Sequence, residues 1–286
     1  MYKQRKVIAS VTTIPSRIAG VDQSISSIMR QHVVPDEIVL CLPKESHREP
    51  SEGDPYEIPE NIQTLVDHGR LTIIRTENDY GPATKLLGVL EREMENTYNL
   101  DNEPLIITFD DDKYYEPEAI DQLLNASLVE AGCVVCRKGS NIYSVEPGHP
   151  FYNDQSEGII EKQKQCFDVK TPTRIDIVYG AGMVMYRPSM FEEDVFEYEE
   201  TNPDFPFSDA FYIDDIFFSG YLARRGVNKV LVNTEKSESQ EKMPKGIIDM
   251  NTDNKDIGPI SLITRRNKSI NYNVIEYFRK DFATPI

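Results

Sequence analysis

The sequence predicts an α/β protein built on a mixed, largely parallel sheet flanked by helices. From Val7 to Cys136, short apolar runs alternate with segments of helical spacing, the order that produces parallel strands joined by crossover helices. The runs are β-branched and continuous, as suits strands covered on both faces. A chain of 286 residues is long enough to bury such a core, and it fits one large domain or two small ones.

Val7 to Thr13 reads as the first strand, ending in Thr12-Thr13-Ile14-Pro15-Ser16-Arg17. No glycine-rich phosphate loop follows it, so the dinucleotide and P-loop fingerprints are absent. Arg17 could fork onto phosphate oxygens or stack on a base, although the segment by itself reads first as a capped turn before a helix. Asp22 to Gln31 has helical spacing, with Ile25, Ile28 and Met29 on one face. A second strand is expected over Pro35 to Leu42, followed by an aperiodic surface excursion from Pro43 to Asn61. Leu71 to Arg75 is a third strand, and Gly81-Pro82 opens a helix over Ala83 to Glu95 with a Leu86, Leu87 and Leu90 stripe. Lys85 stands in that helix's first turn, where a cation opposes the macrodipole. The placement reads as a seat for an anionic partner or as an ordinary surface lysine.

Leu105 to Phe109 forms the next strand, followed at once by Asp110, Asp111 and Asp112. Three adjacent carboxylates repel one another and resist desolvation, and a divalent cation would relieve both. The alternative is a solvated acidic turn before the helix that runs to Val129. After a strand over Cys133 to Cys136 the pattern loosens as far as Thr173. Arg174 to Val178 resumes as a strand, and Gly180 and Gly182 either let a backbone approach a ligand or bend the chain between strands. A helix is expected over Ala210 to Gly226, placing Asp214 and Asp215 near its start; one acid there is an ordinary cap, and two in an apolar stretch are unusual. Val227 to Val232 is the last expected strand. A polar flap over Asn233 to Asp256, a basic cluster of Arg265, Arg266 and Lys268, and a helix over Asn273 to Phe282 complete the chain.

A formal charge of −17 argues against non-specific binding to nucleic acid or to an anionic membrane surface. The four cysteines, Cys41, Cys133, Cys136 and Cys166, read as structural thiols, because Cys133 and Cys136 have no second pair to complete a zinc site. The basic N-terminus resembles neither a signal peptide nor a membrane span, so a cytoplasmic protein with reduced thiols is expected.

In this order, the features resemble the GT-A glycosyltransferases, in particular family-2-like enzymes using nucleotide-sugar donors. The likeness rests on Ala9 to Arg17, on Asp110-Asp111-Asp112 as a D-x-D signature, on Asp214-Asp215 ahead of Arg224-Arg225-Gly226, and on Asn78 to Leu87; it spans about residues 6 to 232. It implies a single catalytic domain over 1–286 with a Rossmann-like fold. A nucleotide-sugar-binding half would cover about 1–136, an acceptor and catalytic half about 137–232, and the flap with its final helix 233–286. It further implies a manganese or magnesium ion on Asp112 and Asp110, the oxygen ligands such ions favour. Thr12, Arg17, Asn78, Asp79, Lys85, Asp110 and Asp111 would hold base, ribose and diphosphate. Asp215, with Asp214 in reserve, would deprotonate the hydroxyl of a glycan or other acceptor. The chain departs from processive members in having no tryptophan, which points to single additions. It also lacks the C-terminal histidine of many retaining members, His149 being its last histidine, which points to inversion. Two rivals remain. A haloacid-dehalogenase-type phosphatase would place a threonine where Tyr114 stands, and a non-catalytic, metal-dependent glycan-binding module would not need the second acidic pair.

Overall fold

The computed structural model describes residues 5–48, 53–99, 101–144, 147–148, 159–196, 211, 213–234 and 268–282. His149, Arg265, Arg266 and nearly all of the expected flap lie outside the described residues. In chain order the elements are β1 (Val7–Thr12), α1 (Val21–Met29), β2 (Glu37–Pro43), α2 (Glu60–Asp67), β3 (Thr72–Thr76), α3 (Thr84–Met94), β4 (Leu105–Phe109), α4 (Ala119–Val129) and β5 (Val134–Cys136). There follow β6 (Lys138–Ser144), β7 (Ile159–Gln165), β8 (Thr173–Arg174), β9 (Ile177–Val178), β10 (Val184–Tyr186), α5 (Asp214–Arg224), β11 (Lys229–Leu231) and α6 (Lys268–Tyr277).

Eight strands form one sheet in the order β3-β2-β1-β4-β10-β5-β11-β8, and β7-β6-β9 form a small antiparallel sheet. From β3 to β4 all pairings are parallel, β10 runs antiparallel between β4 and β5, and β8 closes the edge antiparallel to β11. The fold is therefore α/β with a large, mostly parallel mixed sheet flanked by helices, compatible with a Rossmann-like arrangement. Side chains alternate across it. Ile8 and Ile106 face the layer that holds α3, α5 and α6, whereas Val7, Ala9, Val11, Ile107 and Phe109 face that of α1, α2 and α4.

The strand order reverses at β1. The chain lays β2 and then β3 on one side of it and returns to place β4 on the other, with Val11 level with Phe109. A crevice opens at the carboxyl ends of strands that diverge in this way. The turn after β1 and the aspartates after β4 both emerge there.

Several expectations need correction. The segment from 174 to 178 is split between two sheets: β8 pairs with β11, and β9 pairs with β6. Residues 138–165, read as loosened chain, contain the β6–β7 hairpin, whose polar residues carry little strand periodicity. Helix α2 shares only Glu60 and Asn61 with the expected surface excursion, and it seats a short stripe on the core, Ile62 buried with Leu65 and Val66 half-buried beside it. The final helix begins at Lys268 rather than Asn273. Cys41, Cys136 and Cys166 are buried and unbridged; burial pushes the Cys41 thiol up to about 12 and raises that of Cys136, which keeps them protonated and fits structural thiols. No helix among the described residues is long and apolar enough to cross a membrane.

Candidate functional site

The three aspartates after β4 point at different partners. Asp111 is buried and turns back to the β1 turn, accepting hydrogen bonds from Thr13 Oγ1 and, at 2.7 Å, from Arg17 Nη2. Asp110 faces the other way, 3.1 Å from the Lys85 ammonium. Its backbone is fixed on both sides: its N–H donates to the Tyr115 hydroxyl at 2.7 Å, and its carbonyl accepts from Ser24 Oγ at 2.8 Å. Tyr115 is held edge-on against Phe109, with ring centroids 4.8 Å apart. Asp112 is partly exposed, bordered by Lys113 Nζ at 3.6 Å and by Arg17 Nη1 at 3.9 Å.

Lys85 joins this cluster to the second acidic pair. Its side chain is buried, and besides Asp110 it pairs with Asp214 at 3.2 Å. Asp215, the next residue at the start of α5, accepts the Gly180 N–H at 2.8 Å. A Cβ at Gly180 would stand 3.1 Å from both Lys85 Nζ and Asp215 Oδ1, so this glycine makes room for the pair. Gly182 permits a tight bend against β6, since a Cβ there would come within 2.3 Å of the Lys138 Cβ. Ser219 Oγ accepts the Val178 N–H and donates to the Asp215 carbonyl, tying the first turn of α5 to β9.

The electrostatics follow from this crowding. Burial works against the Lys85 ammonium, but Asp110, Asp214 and Asp215 more than reverse it and hold the lysine's pKa well above its ordinary value. Asp110 is likewise opposed by burial, yet its lysine partner keeps its carboxyl below the usual value. Asp215 goes the other way, since burial and then the adjacent Asp214 push its pKa well above the carboxylate range. Burial, with Asp110 and Asp111 close by, lifts Asp112 to about 6.

Thr12 is buried, and its hydroxyl has no hydrogen-bond partner among the described residues; the same holds for Arg17 Nε. Orphaned polar atoms at a strand's carboxyl end can serve a polar ligand. Asn78 and Asp79 are placed differently. Asn78 is exposed, its amide 3.5 Å from the Tyr80 hydroxyl. Asp79 is buried and ties its own turn to the segment after β2, accepting from the N–H groups of Gly81 at 2.8 Å and His47 at 2.7 Å, with Arg48 Nε 3.6 Å away. Thr13, Ser24, Tyr115 and Arg48 escape sequence reasoning, because their roles rest on individual hydrogen bonds and ion pairs that leave no periodic or compositional signal.

Among the described residues, no group of three or more His, Cys, Asp or Glu side chains is gathered so as to hold a metal ion. Asp110 is engaged by a lysine and Asp111 by a threonine and an arginine. Asp112 lies between Arg17 and Lys113, and burial, followed by the charges of Asp110 and Asp111, keeps its pKa raised despite these two cations. No protein-family model matches the chain, and no curated protein matches it.

Proposed function

We propose that the chain is a GT-A-type glycosyltransferase moving a sugar from a nucleotide-diphosphate donor to a hydroxyl acceptor with inversion. The observation that carries this reading is the meeting of Asp110 and Asp214, one from each of two acidic clusters distant in sequence, on buried Lys85 at the carboxyl ends of the strands where the sheet order reverses. A diphosphate leaving group needs positive charge near the breaking bond, and Lys85 and Arg17 are the cations at hand. Thr12, with its orphaned hydroxyl, suits the donor's polar atoms. Asp112, with Asp110, would hold manganese or magnesium, which when bound offsets charge on the leaving diphosphate.

Asp215 is the base. Its raised pKa gives a carboxylate with stronger proton affinity than an ordinary aspartate, and the Gly180 N–H fixes its orientation. It takes the acceptor's proton as the acceptor oxygen bonds to the sugar's anomeric carbon. The bond from that carbon to the diphosphate breaks, and the electron pair leaves with the nucleotide.

Calorimetry with UDP and GDP tests the donor side. Binding is expected with manganese or magnesium and is expected to disappear in EDTA. Equal binding in EDTA would remove the metal assignment, and no binding across a nucleotide-diphosphate panel would overturn the transferase reading.

A further inference from the structure

Arg48 is among the largest fully buried side chains, although it lies in the aperiodic excursion between β2 and α2. Its guanidinium reaches two different loops at the carboxyl end of the sheet. Nη2 donates to the Thr13 carbonyl at 3.0 Å, and Nε stands 3.6 Å from Asp79 Oδ2. The Tyr56 hydroxyl, from the same excursion, donates to the same Thr13 carbonyl at 3.1 Å. Both tethered residues pass the constraint on. Thr13 binds Asp111 through its hydroxyl, and Asp79 binds the Gly81 N–H at the turn leading into α3, the helix that carries Lys85. Nε makes no hydrogen bond among the described residues and is neutralised across 3.6 Å by the Asp79 carboxylate; a charge buried this deeply is costly once its counter-charge is lost, so the guanidinium resists separation of the two loops.

We propose that Arg48 is a positioning residue that locks the β1 turn, with Thr13 and Arg17, against the β3 turn, with Asp79 and Gly81, and so presets the donor side of the crevice. The nucleotide readout rests on the transferase reading; the exchange readout does not.

The test compares Arg48→Met with Leu231→Ala, a core truncation in β11, using amide hydrogen exchange and calorimetry with UDP and GDP in manganese. In Arg48→Met, the Arg17 and Gly81 amides should exchange at least tenfold faster than in Leu231→Ala, and nucleotide affinity should fall about tenfold. A merely structural role would lower the melting temperature of both variants and leave the affinity of both alone. Should Arg48→Met fail to fold, Tyr56→Phe removes one donor from the Thr13 carbonyl and should show the same changes at several-fold size. Exchange at Arg17 and Gly81 no faster than in the core variant overturns the proposal. Unchanged affinity in a variant of a wild type that binds nucleotide overturns it too. A wild type that binds no nucleotide diphosphate instead defeats the transferase reading, and the exchange result then decides the role of Arg48 alone.

Discussion

Asp215 and Asp214 are neighbours in sequence and opposites in surroundings. Asp214 is buried against the Lys85 ammonium, whereas Asp215 receives a neutral backbone N–H and stays partly exposed. Asp215 combines this access with a raised pKa. Asp215→Asn preserves an acceptor oxygen for the Gly180 N–H but cannot take a proton. Nucleotide binding should be kept and transfer should fall by about 10²–10⁴-fold in steady-state assays; normal turnover would remove Asp215 as the base. In the wild type the base must be ionised, so the rate should climb as pH rises through the raised pKa. The same contrast explains what is legible at this scale. Acidic clusters can be found by reading along the chain, but the roles of Asp110, Asp111 and Asp112 depend on Lys85, Thr13 and Arg17, which reach them from α3 and the β1 turn.

At the scale of elements, two helices owe their seats to glycines. A Cβ at Gly88 of α3 would lie 2.9 Å from Thr76 Cγ2 and 3.1 Å from Cys41 Sγ, so the helix carrying Lys85 packs closely on β2 and β3. A Cβ at Gly220 of α5 would fall 2.2 Å from the Phe278 ring. Gly220→Ala must therefore displace the ring and the turn that closes α6, at a cost of about 1–3 kcal/mol in urea unfolding, with faster amide exchange in α6. Unchanged exchange there would show that the ring moves freely aside. Strong periodicity makes α1 and α3 legible in the sequence. The β6–β7 hairpin is not, because its polar residues are placed by strand pairing rather than by an apolar stripe, and α2 offers only the three-residue stripe of Ile62, Leu65 and Val66.

For the molecule as a whole, one buried cation outside the site should set part of the pH dependence of stability. Lys229 on β11 donates to the Ser219 carbonyl at 2.9 Å, and burial lowers its pKa from 10.5 to about 8. Below about pH 8 the folded and unfolded chains both hold the proton, so the fold bears the full penalty. Between about 8 and 10.5 the folded chain has released it while the unfolded chain retains it, and stability rises with pH. Lys229→Met should remove this rising limb and stabilise the protein at pH 7 by on the order of 1–3 kcal/mol. A melting temperature that keeps the same alkaline rise in the variant would assign it to another group.

The α/β class, the main parallel strands and the two acidic clusters are legible along the chain, because they depend on residues near one another in it: apolar periodicity, helix starts and runs of like charge. The reversal of strand order at β1, the antiparallel insertion of β10, the meeting of Asp110 and Asp214 on Lys85 and the burial of Arg48 emerge from the folded chain alone. Each of these depends on contacts between distant residues, where burial and charge pairing outweigh local preference.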